Sequence, residues 1–231
     1  MRLARLIMLD ENSGSTRHKI LKSAEKLFYE LGYKNTSYSA IADESGTSQG
    51  AIYYLFNSKI NIASEIYSQF LRNVKQISAE KLYHENREFD SMLSSVLEFS
   101  LHLCAYNLDP KIRVFVSEYT SQISFTSKNY ISFKGDVFYL INKQYKLGFL
   151  KGELDFFRLY YRIGYFATVT AFYEGFIDLP YEEFMQEIVC MPLKLLKIPE
   201  EQIEEKYREA KEILNSIELT VSPYFQVNAK F

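Results

Sequence analysis

Nine glycines and five prolines are spread through 231 residues. A chain so poor in the residues that make tight turns is unsuited to a turn-rich β architecture and suited to long helices. The content of hydrophobic (47%) and charged (24%) residues is that of an ordinary globular chain. Disorder, a collagen-like repeat and a coiled-coil rod are therefore excluded as the main description. The length allows one or two domains. Tyr (19) and Phe (18) are abundant while Trp is absent, so the interior must be unusually aromatic.

Apolar residues recur with the helical period along the chain. A loose arm or extra turn occupies 1–14. Ser15 or Thr16 caps a helix over about 16–32, with Ile20, Leu21, Ala24, Leu27, Phe28 and Leu31 on one face and Gly32 as its stop. Two short helices follow, at about 37–44 (capped by Thr36 or Ser37) and 48–54 (capped by Thr47 or Ser48). A long helix from about 58 to 81 bridges two domains. Further helices are expected at 89–106, from Asp109-Pro110 to 126, at 129–147, 153–176, 180–196 and 199–218, with a tail at 220–231. The expected fold class is all-α: a helix-turn-helix unit with its arm over 1–60, and a helical body over 61–231.

The net charge is −2, so no whole-chain basic signal is present. Residues 1–60 carry +2 and residues 61–231 carry −4, an asymmetry whose sign suits an N-terminal unit that touches phosphate. Cys104 and Cys190 lie in apolar helical patterns, which fits a reducing cytoplasm rather than a disulfide framework. No apolar run reaches the ~18 residues of a membrane span. Asp10 and Glu11 stand where a signal peptide would need small residues.

Residues 37–57 read SYSAIADESGTSQGAIYYLFN. Two short helices that cross steeply need a small residue at the contact, a turn residue that accepts positive φ, and an apolar lock. Ala42, Gly46 and Ile52, the last against Ile41, meet those needs at helix-turn-helix spacing. The run from Lys19 to Phe70 resembles the DNA-binding domain of the TetR/AcrR transcriptional regulators. The matching residues include Ala24, Phe28, Gly32, Tyr33, Thr36, Ile41, Ala42, Gly46 and Ser48, and above all the G-x-x-Y-x-x-F-x-x-K pattern of Gly50, Tyr53, Phe56 and Lys59. Ser45, Thr47 and Leu55 depart from the residues common there; Leu55 replaces a Tyr or His that often touches phosphate.

The resemblance implies a recognition helix in the major groove, with its N-terminal residues at base edges. Ser48, Gln49, Gly50, Tyr53 and Tyr54 form the exposed face, and Thr47 just before it is a further DNA-binding candidate. Gln49 can bond adenine N6 and N7. Gly50 allows close approach. Tyr53 can meet a thymine methyl or a phosphate, or else be a half-buried packing residue. Thr36 and Ser37 offer hydroxyls beside the free N–H groups of the preceding helix. Lys59 suits a phosphate, or is merely solvated. Arg2, Arg5 and Arg17 form a basic arm or are simply exposed. So weakly basic a head needs a second copy to bind well at physiological salt. A homodimer reading a palindromic operator with half-sites about 34 Å apart is expected. Its interface is placed at about 153–176 and 180–196; the first of these is apolar on most sides, which also suits a central core helix.

The resemblance further implies a small-molecule effector in the C-terminal domain. The aromatic surplus suits an apolar or aromatic ligand. Candidate contacts are Phe99, His102, Leu103, Tyr106, Phe115, Tyr119, Gln122, Tyr139, Tyr161, Tyr165, Thr168 and Phe172, a set that plain core packing also explains. Glu98 and His102, four apart, can polarise a ligand or satisfy each other. No catalytic, metal or cofactor motif is present: the three histidines are scattered, and His102 and Cys104 face different directions on one helix. The expectation is a ligand-released repressor, not an enzyme. The alternative is a ligand-binding or interaction module with weak or no specific DNA binding.

Overall fold

The computed structural model describes the backbone of residues 2–123 and 136–231, and the side chains from Thr16 onward within them. The described residues form α1 (Arg2–Asn35), α2 (Tyr38–Ser45), α3 (Gln49–Phe56), α4 (Lys59–His84), α5 (Ser91–Leu108) and α6 (Pro110–Thr120). They continue as α7 (Val137–Gln144), α8 (Lys151–Tyr173), α9 (Tyr181–Leu195) and α10 (Glu200–Asn215), then strands β1 (Glu218–Ser222) and β2 (Gln226–Lys230). The fold is all-α with one small hairpin at its end.

Helix starts follow local chemistry. Asp109 accepts the Lys111 N–H at 2.8 Å, and Pro110 fills a first-turn position where no N–H is missed. Asp136 does the same for α7 through Phe138 N–H, at 3.1 Å. The Glu153 carboxylate turns back to accept Leu150 N–H at 2.8 Å.

Several boundaries differ from the sequence reading. α1 begins at Arg2, not at a Ser15–Thr16 cap, because Gly14 alone costs a helix only about 1 kcal/mol. Gly32 does interrupt it, with φ 83° and ψ 166°, and one more turn follows. α6 ends at Thr120; residues 124–126 of the expected helix, and 129–135 of the next, lie outside the described residues. α7 ends at Gln144, since Lys146 and Gly148 both take positive φ (52° and 82°). The expected tail is instead the β1–β2 hairpin, and its turn holds Tyr224 and Phe225 at φ 65° and 60°.

The chain divides into two compact units. One holds the described parts of residues 1–72, 109–123 and 222–226; the other holds those of 73–108, 124–221 and 227–231. The first unit thus takes in more chain than residues 1–60. In it α6 packs on α1. Phe28, Phe115 and Tyr119 form a run of rings 5.7 Å apart, and Phe225 from the hairpin turn joins at 4.7 Å from Phe115. In the second unit α5 is the central helix: Val96, Leu97, Leu101, Leu103 and Ala105 are fully buried, and α7, α9 and α10 pack around it. α8 is therefore not the central helix. Leu154, Tyr161, Tyr165 and Val169 are buried, while Phe156 (65% exposed), Leu159 (37%), Tyr160 (61%) and Ile163 (43%) face outward.

Candidate nucleic-acid interface

The α2–α3 segment is held by caps, one left-handed residue and an apolar lock. Ser37 Oγ accepts Ala40 N–H at the start of α2, and Ser48 Oγ accepts Ala51 N–H at the start of α3, both at 3.1 Å. Gly46 ends α2 at φ 64° and ψ 32°. Ile41, Ala42, Ile52 and Phe56 are buried behind the turn. With its back locked this way, α3 presents Ser48, Gln49, Gly50, Tyr53 (51% exposed) and Tyr54 (85%) on the outer side.

Other residues expected on the DNA face have internal partners. Thr36 is buried, and its hydroxyl donates to Gly32 O at 2.8 Å, so it closes the end of α1 and offers nothing outward. Thr47 is half-buried, with its hydroxyl 2.7 Å from that of Ser45. Lys59 lies at the first position of α4. Its ammonium donates to Tyr33 O and Thr36 O, each at 2.8 Å, and sits 4.2 Å from the Tyr33 ring centroid. Burial lowers its pKa from the ordinary lysine value. Arg17 forks onto the Glu65 carboxylate and lies 4.6 Å over the Phe56 ring. The side chains of Arg2 and Arg5 lie outside the described residues.

The spacing Gly50, Tyr53, Phe56, Lys59 thus has a mechanical meaning. Phe56 fills the core and Lys59 staples α4 to the end of α1, while Tyr53 stacks on Tyr38 at 4.7 Å with 16° between the ring planes. Tyr38 was missed in the sequence. Its one signal is an aromatic residue at the first position of a short helix, where nothing in helix formation calls for it.

The profile of bacterial regulatory proteins of the tetR family matches residues 20–66, the stretch that carries this geometry. Residues 20–66 are a TetR-family domain. Over 48 residues it is 46% identical to an uncharacterized HTH-type transcriptional regulator from the lacX 3' region of Lactococcus lactis subsp. lactis, covering 21% of this chain and 24% of that protein. Over 119 residues it is 26% identical to the HTH-type transcriptional repressor BepR of Brucella suis, covering 51% of each. The chain thus spans a quarter to a half of the length of these curated relatives. The crystal structure of RolR without ligand matches with a TM-score of 0.57 at 12% identity, covering 84% of this chain and 96% of that one. That likeness concerns the fold. Both matched relatives are transcriptional regulators by name.

Outside the TetR-family domain, the residues expected around a ligand separate into groups. Phe115 and Tyr119 belong to the aromatic core of the first unit, and Gln122 is exposed there. In the second unit Phe99 lies 5.5 Å from Tyr161, 5.8 Å from Tyr165 and 6.1 Å from His102. Leu103 and Tyr106 are buried in α5, and burial pushes the His102 imidazole down to about 3, so it is neutral. Glu98, four residues earlier, has its pKa raised by burial against an opposing effect of Lys75. Tyr161, Tyr165 and Thr168 line a cleft of about 240 Å³ between α8 and α9, with Gly164, Ile188 and Met191. Phe172 stacks on Phe184 at 3.9 Å, and Tyr139 donates to Asp155 at 2.7 Å. A second cavity, of about 380 Å³, lies among α5, α9, α10 and β1. Its walls include Ser100, Cys104, Tyr181 and Lys211, none of them a sequence candidate. Burial pushes the Cys104 thiol up to about 11. Among the described residues no helix is long and apolar enough to cross a membrane, and no His, Cys, Asp and Glu cluster could hold a metal.

Proposed function

We propose that this chain is a sequence-specific transcriptional regulator that binds a palindromic operator as a homodimer, represses from it, and is released by a small apolar or aromatic molecule bound within 61–231. The observation that carries the reading is the outer face of α3: Gln49, Gly50, Tyr53 and Tyr54 stand exposed on a helix locked from behind, where a reading helix needs them. Gln49 bonds adenine, Gly50 allows the backbone close, and Tyr53 and Tyr54 meet methyl groups or phosphate. Ser37, Thr47 and Ser48 flank them. Lys59 uses two of its three N–H donors internally, which leaves one for a phosphate. Thr36 takes no part.

Support for the dimer comes from the outward apolar side of α8 (Phe156, Leu159, Tyr160, Ile163), which a partner's α8 and α9 would cover. Support for repression comes from BepR, a repressor by name. Two free cysteines, one buried and one half-buried, fit a cytoplasmic protein. The cleft lined by Tyr161, Tyr165 and Thr168 is the effector site in this reading, with Phe172 further along α8 and Phe99, on α5, 5.5 Å from Tyr161.

The test is selection from random duplexes with the full chain at low salt. Enrichment of one palindrome, and its loss when Gln49 is replaced by Ala, supports the reading. Retention of duplex without enrichment of any sequence overturns it and leaves an interaction module.

A further inference from the structure

Tyr38, the first residue of α2, touches two other helices of the head. Its ring stacks on Tyr53 of α3, 4.7 Å away and nearly parallel. Its hydroxyl accepts the backbone N–H of Lys59, the first residue of α4, at 2.5 Å. That N–H is one of the donors a helix start leaves open. Helix formation does not account for Tyr38, since Ser37 already caps α2 and an aromatic residue is only a moderate helix former. The stack covers one face of Tyr53 and leaves the residue half exposed, one helical turn from the exposed Gln49.

We infer that Tyr38 is a positioning residue for DNA reading: by stacking on Tyr53 and holding the start of α4, it fixes α3 and the Tyr53 ring before DNA arrives, and so sets how sharply the head distinguishes its operator from other DNA. The inference rests on the DNA-binding reading above. A ring already held loses less freedom on binding than a loose one. Base edges demand a set angle of the reading helix, whereas phosphate contacts to unrelated DNA tolerate a tilt. Losing Tyr38 therefore weakens operator binding by about 3–10-fold and leaves binding to unrelated duplex nearly unchanged. No phosphate contact is lost with it, so the slope of log affinity against log salt stays the same.

The experiment compares the full chain with Tyr38→Ala, Tyr38→Leu and Tyr38→Phe, by fluorescence anisotropy on the selected duplex and on a scrambled one, across a salt series. Melting curves accompany each protein. Phe keeps the stack and is expected to restore most of the discrimination lost in Ala. Leu keeps apolar bulk without a flat face, so it would satisfy a merely structural role but not a positioning one; it is expected to discriminate as poorly as Ala. If Ala does not fold, the Leu and Phe pair decides. A Leu variant that discriminates like the natural chain overturns the inference. So does a salt slope that falls by about one in the Ala or Leu variant, which would make Tyr38 a phosphate contact. If the natural chain enriches no duplex, the DNA reading itself falls and takes this inference with it. A chain that selects normally while all three variants discriminate equally well sinks only the role of Tyr38.

Discussion

The ammonium of Lys59 does the work of a cap for a helix other than its own. α1 ends with open carbonyls at Tyr33 and Thr36, and Lys59 donates to both across the fold. Lys59→Met keeps the stem and removes the donors. The expected loss is about 1.5–3 kcal/mol in urea unfolding, since each bond involves a charged donor; a merely solvated lysine would change stability by under about 0.5 kcal/mol. His102 makes a prediction in pH. Burial holds its imidazole down to about 3, while an unfolded histidine titrates near 6.5. Between those values the unfolded chain binds a proton that the folded chain does not. Stability from this group is complete above pH 6.5 and falls as pH drops towards 3. The natural chain should lose about 2 kcal/mol more than His102→Leu between pH 7 and pH 5, read as the change in unfolding free energy. At this scale the sequence was legible where the backbone itself makes the demand: Gly46 had to sit in a left-handed turn, and Ile52 had to face inward. It was not legible for Lys59, because the carbonyls it bonds come from the end of another helix; Thr36 bonds a carbonyl only four residues back, but its burial is set by tertiary packing.

Two junctions decide how the elements of the first unit are held. At Gly32 the backbone takes φ 83° and ψ 166°, a region open in practice only to glycine. A Cβ there would lie 2.7 Å from Glu118 Oε2, the same oxygen that accepts Lys34 N–H at 2.8 Å. Gly32→Ala is expected to cost about 1–3 kcal/mol from the backbone alone. Glu118→Ala should then cost less in that background than in the natural chain, because the carboxylate has already been pushed off its bond; a double-mutant cycle of thermal unfolding measures the difference. At the hairpin turn, Phe225 enters the aromatic run beside Phe115 and Tyr29. Phe225→Ala should cost about 3–5 kcal/mol, the cost of a core ring, where a residue in a frayed tail would cost almost nothing. The helices were readable because their apolar period repeats over many residues. The hairpin was not, because its turn places Tyr224 and Phe225 at positive φ, where turn rules look for Gly or Asn, and tertiary burial of the ring supplies what the local sequence lacks.

For the molecule as a whole, the informative feature is a helix with two apolar sides. Leu154, Tyr161, Tyr165 and Val169 face the core of the second unit, and Phe156, Leu159, Tyr160 and Ile163 face out at spacings of three, one and three residues. The sequence showed that this helix is apolar nearly all round, but not which side the core takes. That depends on α5 occupying the centre, and on α6 joining the first unit through Phe115, both of which are long-range outcomes. A contiguous outward stripe of this kind is uncommon on a protein that works alone. In the proposed homodimer a twofold interface would bury it at a stroke, because the same patch would serve both copies. Replacing Tyr160 and Ile163 together by Glu puts two charges per copy into that contact. Both side chains are exposed, so melting of the single chain should move little. Sedimentation should show the natural chain as a dimer and the double variant as a monomer. Binding to a duplex with two half-sites should fall by about 10²–10⁴-fold, the gain that linking two heads provides, while binding to one half-site stays as weak as before. A double variant that still sediments as a dimer places the interface elsewhere. A variant that becomes monomeric yet holds the two-site duplex as tightly as the natural chain means that one head suffices, and the palindrome loses its reason.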